Sequence, residues 1–346
     1  MALTMKTMKR RNWMKWLWCA ALALHTSTLS LAASPPPIPG GFTLVVVPDT
    51  QLYALKYPET YDSQTQWIAD NARRYNISFA LHVGDITDKN SPPEWQVAAK
   101  AHARMAGIVP CAVVPGNHDL GQKRGASFTE HFPTTSFKGL PTFGGFYDRE
   151  PERSDNSYHL FEAGGRRWLL RALEFGPRDD VLRWANVVVA RHPDRSVILL
   201  THAYLRPDNT RFDHRAKIVV KGKDSDKGLG KSALPFAQDP AGFNDGEAMW
   251  QKLVSQHVNF AFVVCGHTCI TGHRTDPGKH GNPVHQILVD YQNQPNGGNG
   301  FLRLLQFTAD LKTVRVSDYS PTLDQMSDVK GASFELAAPP PPRVAP

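Results

Sequence analysis

The stretch VVPGNHDLG, residues 113–121, joins an apolar run to a group of polar side chains. The apolar residues stop at Gly116, and Asn117, His118 and Asp119 follow in consecutive positions. An amide, an imidazole and a carboxylate are groups that bind metal ions or transfer protons. The stretch therefore predicts a buried strand with chemically active side chains at its exit, and four comparable stretches occur elsewhere in the chain.

Five apolar, β-rich runs recur along the chain, and segments of helical periodicity lie between them. The runs span residues 42–47, 78–83, 108–114, 196–200 and 259–264. The helical segments span residues 63–75, 91–107, 179–192 and 245–257. The apolar character of the runs is continuous rather than alternating, which is typical of strands covered on both faces. Strands that alternate with helices predict an α/β fold.

The C-terminal part has a different pattern, in which strands are joined by short turns. Predicted strands span residues 282–292, 300–307 and 312–320, and a strand pair lies at 157–175. This pattern predicts a second sheet, built mostly from hairpins, beside the first. We therefore predict one domain over residues 42–322.

Side chains of the kind that bind metals follow each of the five apolar runs. In chain order they are Asp49 and Gln51, then Asp85 and Asp88, then Asn117, His118 and Asp119, then His202, then His267 and Cys269. The carboxyl ends of parallel strands open into a crevice, where binding sites form in α/β sheets. Carboxylate, imidazole and amide ligands together suit Mn, Fe or Zn better than Ca, which prefers oxygen ligands alone.

At these positions the sequence resembles the calcineurin-like metallophosphoesterases. The family pattern is an aspartate motif, then GD, GNH, a lone histidine and GH. The matching residues, in the same order, are Asp49, Gly84-Asp85, Gly116-Asn117-His118, His202 and Gly266-His267. Each dipeptide alone is common, but five motifs in order, each after an apolar run, form a specific signal. The resemblance implies a four-layer α/β/β/α sandwich of two mixed sheets around two divalent or trivalent metal ions.

The resemblance also implies a role for each ligand. Asp85 would bridge both metals. Asn117, His202 and His267 would complete the shell of one metal, and Asp49 would belong to the other. Two cations about 3.5–4 Å apart can hold a hydroxide between them and clamp the phosphate oxygens during in-line attack.

Two residues near the metals are predicted to act in proton transfer. His118 would stabilise the charge of the transition state or protonate the leaving oxygen. We assign Asp88 to orient it, because a histidine that acts as an acid needs a carboxylate partner to raise its pKa. A structural role is the alternative for Asp119.

The sequence departs from the family pattern at two positions. Gln51 stands where the first motif usually has a histidine, and Cys269 stands where the last motif usually has one. Both missing histidines belong to the same metal. That site would therefore use Asp49, Asp85, the Gln51 carbonyl and the Cys269 thiolate, or it would be weak.

Other residues offer alternatives at this second metal. His273 and His285 could substitute for the missing histidines. Cys269 could instead form a disulfide with Cys265 or remain a buried thiol.

Most of the excess positive charge lies at the N-terminus. The 346-residue chain has a formal net charge of +7, but five of its Lys and Arg residues lie in the first 33 residues, where there is no acidic residue. The basic start, the apolar stretch from Trp16 to Leu31 and the small residues before Ser34 are typical of an export signal, of the Sec or twin-arginine type, over residues 1–33. We therefore expect a periplasmic or secreted protein, with no membrane span in the mature chain and no extended nucleic-acid surface.

Three further segments are distinguished by their composition. Residues 34–41 are predicted as a Pro-rich linker, and residues 323–346 as a low-complexity, Pro-rich tail. Residues 211–231 carry seven Lys or Arg residues against three Asp. This basic segment either attracts a phosphorylated substrate at the rim of the site or is a solvated insertion.

These features predict an exported phosphoesterase that acts on a phosphomonoester or phosphodiester, with a small substrate ranked first. The alternative is a metal- or phosphate-binding protein on the same fold, with a depleted second metal site. The GNHD stretch favours the enzyme, because His118 is not expected to bind metal and would have little reason to be there without chemistry.

Overall fold

The computed structural model describes residues 34–121, 124–220, 223–227, 239–268 and 270–342. The predicted export signal at residues 1–33 and Cys269 lie outside these ranges, as do residues 221–222 and 228–231 of the basic segment and residues 343–346 of the predicted tail. A search of the described helices finds none that is long and apolar enough to cross a membrane.

The described residues form two seven-stranded sheets. The first sheet has, in spatial order, β15 (Gln325–Met326), β14 (Thr313–Ser320), β13 (Leu302–Phe307), β1 (Phe42–Val47), β2 (Ile77–His82) and β3 (Cys111–Val113), and β16 (Ser333–Ala337) also pairs with β14. The second has β11 (Ile270–Pro277), β12 (Pro283–Asp290), β10 (Phe260–Cys265), β7 (Ser196–Leu200), β6 (Arg166–Ala172), β5 (Ser157–Ala163) and β4 (Phe143–Phe146). A separate ribbon pairs β8 (Asp213–Val220) with β9 (Lys223–Lys227).

Helices cover the outer face of each sheet. The described helices include α1 (Gln51–Lys56), α2 (Pro58–Asn71), α3 (Pro92–Ala103), α4 (Asn117–Leu120), α5 (Ser127–His131), α6 (Thr134–Lys138), α7 (Asp179–Ala190) and α8 (Gly246–Lys252). Ile68 of α2 packs on the first sheet, and Val181 of α7 and Met249 of α8 pack on the second. The predicted four-layer α/β/β/α sandwich is therefore confirmed.

Strand β1 shows why its apolar run is continuous. Leu44 and Val46 point into the core between the two sheets, whereas Val45 and Val47 point towards the helices. Both faces of the strand are buried, so both sets of alternating side chains must be apolar.

The distribution of strands between the sheets differs from the prediction. We expected the five ligand-bearing strands in one sheet and the C-terminal hairpins in the other. Instead β1, β2 and β3 lie in the first sheet, while β7 and β10 lie in the second. The C-terminal strands β13 and β14 extend the first sheet, with β13 antiparallel to β1. Apolar pattern alone does not say which strand pairs with which.

The segments on either side of the predicted domain also contact the sandwich. Strand β16 lies in the predicted tail and pairs with five consecutive residues of β14, from Thr313 to Ser317. In the predicted linker, the carbonyls of Pro35 and Pro36 accept hydrogen bonds from Tyr75 Oη at 2.8 Å and Gln306 Nε2 at 3.1 Å. Both flanking segments therefore pack on the sandwich beyond the predicted limits of 42–322.

The contribution of β16 to stability can be tested within the strand itself. Phe334 packs on the inter-sheet core and stacks on His273, whereas Glu335 is exposed and pairs with Arg315. We expect Phe334→Ala to lower the free energy of unfolding by about 1–3 kcal/mol through lost burial. The matched change Glu335→Ala should alter it by less than about 0.5 kcal/mol. Equal effects in denaturant unfolding would contradict the assignment of β16 to the fold.

Candidate active site

The side chains predicted to bind metal meet where the ends of the two sheets come together. Asp49, Asp85 and Asn117 follow β1, β2 and β3, and these three strands are mutually parallel. His202 and His267 follow β7 and β10, which are parallel to each other. Ligand atoms of Asp85, His202 and His267 lie within 4.8 Å of one another. The structure therefore brings together residues that are up to 218 positions apart in the chain.

His202 is the centre of this group. Its Nδ1 donates a hydrogen bond to the Val83 carbonyl at 3.0 Å, which leaves Nε2 as the nitrogen that faces the other ligands. His202 Nε2 lies 3.0 Å from His267 Nδ1, 3.1 Å from Asn117 Oδ1 and 3.3 Å from Asp85 Oδ1. Once Nε2 of His202 has lost its proton, all four atoms present lone pairs, so they converge on a position that suits a metal cation.

The pKa values of Asp85 and His267 also indicate that this site favours a bound cation. Burial works against ionisation of Asp85, but the charge and hydrogen bond of His202 outweigh it and lower the pKa of Asp85 to about 2. Burial and the neighbouring His202 lower the pKa of His267 to about 3, so its imidazole is neutral and able to bind metal. One proton on His202 Nε2 can satisfy one acceptor at a time, whereas one cation can be bound by all four atoms together. The residues therefore fit a metal ion.

Two motif glycines allow the loops to approach closely. A Cβ atom on Gly116 would lie 2.0 Å from Asp85 Oδ1, and one on Gly266 would lie 2.2 Å from Asp49 Oδ2. Both separations are far shorter than a van der Waals contact, so only glycine fits. The backbone carries strain here as well, because Asp85 has φ 47° and His267 has φ 77°.

Asp119 has the structural role that was the alternative to a catalytic one. Its carboxylate accepts hydrogen bonds from the backbone N–H groups of Ile86, Thr87 and Gly116 at 2.9–3.1 Å. It thereby joins the loop after β2 to the loop after β3. This contact fixes Asp85 relative to Asn117 and His118.

Asp88 contacts His118 through its backbone carbonyl as well as through the predicted carboxylate. His118 Nδ1 donates to the backbone carbonyl of Asp88 at 2.6 Å, while the Asp88 carboxylate lies 3.8 Å from the same nitrogen. The carboxylate of Glu94, at the start of α3, holds this loop by accepting from the Asp88 backbone N–H at 3.1 Å. Backbone geometry therefore orients the ring, which sequence spacing could not reveal.

The bond to Asp88 leaves Nε2 of His118 as the nitrogen that can gain or lose a proton. Burial lowers the pKa of His118, but the charge of Asp85 and the interactions with Asp88 outweigh it, so the pKa lies above the ordinary value. The ring is partly exposed, with a side-chain exposure of 36%. His118 is thus suited to donate a proton to a bound molecule.

Asp49 and Gln51 are the described residues predicted to belong to the second metal alone. Asp49 is buried and accepts from the His267 backbone N–H at 3.1 Å. Gln51 Nε2 donates to Asp88 Oδ1 at 3.4 Å, and Gln51 Oε1 is buried without a hydrogen-bond donor among the described residues. A buried acceptor without a partner is costly, and a bound cation would remove that cost.

Both histidines that could have substituted at the second metal make contacts elsewhere. His273 stacks on Phe334, and His285 bonds to Thr275 and to the Ala337 carbonyl. Cys265 is a buried free thiol, so the alternative of a disulfide to Cys269 gains no support from the described residues.

Sequence reasoning missed Asp290. It lies at the carboxyl end of β12, which is parallel to β10 and therefore ends at the same edge of the sheet as His267. Asp290 is completely buried, and its charge contributes to raising the pKa of Asp49. The sequence signal was an apolar run followed by an acid, as at Asp49. This run lies in the predicted strand at residues 282–292, which belonged to the hairpins and not to the ligand-bearing strands.

Comparisons with known proteins agree with this arrangement. A model of the calcineurin-like phosphoesterase family matches residues 42–270. The chain is also 33% identical over 297 residues to the Bacillus subtilis (strain 168) protein named "Uncharacterized protein YvnB", a match that covers 83% of this chain and 20% of that protein. It thus spans about a fifth of the length of that relative.

Two solved structures share the fold. A dimetal phosphatase from Danio rerio has a TM-score of 0.52 and 13% identity, covering 86% of this chain and 99% of that one. A purple acid phosphatase from yellow lupin (Lupinus luteus) seeds has a TM-score of 0.51 and 15% identity, covering 88% of this chain and 55% of that one. At these identities the likeness concerns the fold alone. Because the family model matches more than half of the chain, from β1 to the start of β11, the protein belongs to the calcineurin-like phosphoesterase family.

Proposed function

We propose that the protein is an exported, metal-dependent phosphoesterase that uses two Mn, Fe or Zn ions. The observation that carries the proposal is the convergence of four lone-pair atoms at His202 Nε2, with His118 held beside them. Membership of the calcineurin-like phosphoesterase family supports the same reaction class.

The chain offers ligands for both cations. Asp85, Asn117, His202 and His267 would hold one, and Asp49, Asp85 and Gln51 would contribute to the other. When bound, such cations neutralise phosphate charge and make a bound water more acidic. The buried position of these residues strengthens the attraction between the site and a phosphate group.

His118 supplies the proton in this proposal. Its Nδ1 is engaged with the Asp88 carbonyl, so a proton on Nε2 is available for the leaving oxygen of the substrate. The backbone N–H of His118 donates to Asp85 Oδ1 at 3.0 Å, which ties the position of the acid to that of the metal ligand.

A small phosphoester is the substrate class that we favour. The positive charge is concentrated at the N-terminus, and the rest of the chain is close to neutral, which does not suit an extended nucleic-acid track.

The basic N-terminal segment with its following apolar stretch supports export to the periplasm or medium. A metal- or phosphate-binding protein without turnover is the other candidate, and the following tests separate the two.

Replacement of His118 tests the catalytic role. We expect His118→Ala to lower kcat about 10²–10⁴-fold on an alkyl phosphate, because the leaving oxygen loses its proton donor. The loss should be much smaller on a 4-nitrophenyl phosphate, whose leaving group needs no proton. Metal content by mass spectrometry should not change. His280→Ala is the control, because His280 is exposed in the turn between β11 and β12, at the opposite end of these strands. Full activity of His118→Ala would refute the assignment.

Replacement of Asp88 tests how His118 is oriented. Asp88→Asn keeps the backbone carbonyl that accepts from His118 Nδ1. We therefore expect kcat to fall by less than about tenfold, far less than for His118→Ala. Steady-state kinetics on the same alkyl phosphate provide the comparison. A loss as large as that of His118→Ala would mean that the carboxylate, and not the carbonyl, is required.

Removal of metal tests whether cations bind the folded site. Buried carboxylates repel one another, which destabilises the folded state. A ligand that binds only the folded state stabilises it by about 2.7 kcal/mol when the ligand concentration is a hundred times its Kd. Dialysis against a chelator should therefore lower the free energy of unfolding, and added Mn²⁺ should restore it. Denaturant unfolding with and without metal measures the difference. Identical curves would argue against both metal sites.

A further inference from the structure

We propose that the second cation site is built from oxygen atoms and is completed by Asp290, together with Asp49, Asp85 and Gln51. Of the proposed metals it would therefore prefer the harder cation Mn²⁺, more strongly than the site at His202 and His267 does. The inference rests on the proposed function, because it concerns the second of the two cations that the reaction requires.

The position of Asp290 follows from the pairing of β12 with β10. Leu288 pairs with Cys265 in parallel register. Asp290 lies two residues beyond Leu288, just as His267 lies two residues beyond Cys265. Both side chains therefore leave the sheet at the same edge, and Asp290 is completely buried there.

Three buried carboxylates influence one another at this edge. Asp49, Asp85 and Asp290 are all buried, and Asp49 accepts from the backbone N–H of His267, the residue whose position Asp290 matches on β12. Among the described residues, neither a Lys nor an Arg forms an ion pair with any of the three, and His202 is the ion-pair partner of Asp49 and Asp85. Asp290 accepts hydrogen bonds from Gln292, through the backbone N–H at 2.8 Å and Nε2 at 3.0 Å. These two neutral donors do not balance the negative charge, and a cation would.

Gln51 provides an independent observation at the same place. It is 4% exposed, and its Oε1 has no hydrogen-bond donor among the described residues. Gln51 is only two residues after Asp49, and its Nε2 is held by Asp88. The amide is therefore anchored through its nitrogen, while its oxygen remains to bind a cation beside Asp49.

The donor atoms decide which cation fits. His202 and His267 provide nitrogen to the first site, which suits Zn or Fe. The second site has no imidazole among the described residues, because His273 and His285 are engaged elsewhere. Carboxylate and amide oxygens favour Mg²⁺, Ca²⁺ or Mn²⁺. The two sites should therefore differ in metal preference.

The test is a titration of the chelator-treated full chain with Mn²⁺, in which electron paramagnetic resonance measures the free ion. Wild type should bind two equivalents. Asp290→Asn should raise the Kd of the second equivalent at least tenfold and leave the first within threefold. The control Asp180→Asn should match wild type, because Asp180 bonds to Tyr147 and Val181, away from the site. Unchanged binding by Asp290→Asn would overturn the inference.

Two further variants separate direct binding from an effect of charge, and they provide a test if Asp290→Asn does not fold. Asp290→His should increase the preference of the second site for Zn²⁺ over Mn²⁺ at least tenfold relative to Asp290→Asn. Equal preferences in the two variants would mean that Asp290 acts through its charge and would overturn its role as a ligand. Gln51→Met should raise the second Kd at least threefold, and unchanged affinity would remove Gln51 from the site.

Cys269→Ser tests whether the site is built from oxygen alone. We expect its second Kd to equal that of wild type, and a rise of tenfold or more would overturn the oxygen-only site.

Failure of the proposed function has a different signature. Wild type that binds fewer than two equivalents would contradict both proposals. Wild type that binds two but hydrolyses no phosphoester would contradict the function and leave this inference intact.

Discussion

Buried negative charge is the constraint on which the rest of the site depends. Asp49, Asp85 and Asp290 lie where two apolar sheets meet, and burial there disfavours their ionised forms. Hydrogen bonds from the backbone of His267 and His118 reduce this cost without removing it. The remaining demand for positive charge explains the contacts around His202 Nε2 and motivates the proposal of two bound cations.

The loops of the site are shaped by the need to bring donors within about 3 Å of one another. Close approach excludes a side chain at Gly116 and at Gly266, and it holds Asp85 and His267 in left-handed backbone conformations. Asp119 offsets part of the strain, because its buried carboxylate binds the backbone of two loops at once. The motif glycines and Asp119 therefore set the shape of the loops, whereas the neighbouring side chains provide the candidate ligands and the acid.

Much of the site could be predicted because its residues follow strands that the apolar pattern reveals. Asp49, Asp85, Asn117, His202 and His267 each come directly after such a strand. The order of the motifs then indicated the family, which the match over residues 42–270 confirms. Prediction missed the backbone contact between Asp88 and His118, and it missed Asp290 because the strand before Asp290 had been assigned to the wrong partner. A backbone contact leaves no mark in the side-chain pattern, whereas Asp290 follows an apolar run whose strand partner the pattern does not reveal.

The sequence by itself determined the α/β class of the fold and the chemical types of the candidate ligands. Strand periodicity, apolar content and residue identity are local properties, and they can be read from neighbouring letters. Only the tertiary structure decided that β7 and β10 belong to a different sheet from β1, that β12 runs parallel to β10, and that β16 completes the first sheet. Pairing between distant strands depends on the total burial achieved by the whole chain, so no short stretch contains it. The position of Asp290 at the same sheet edge as His267 is thus a product of packing and not of sequence spacing.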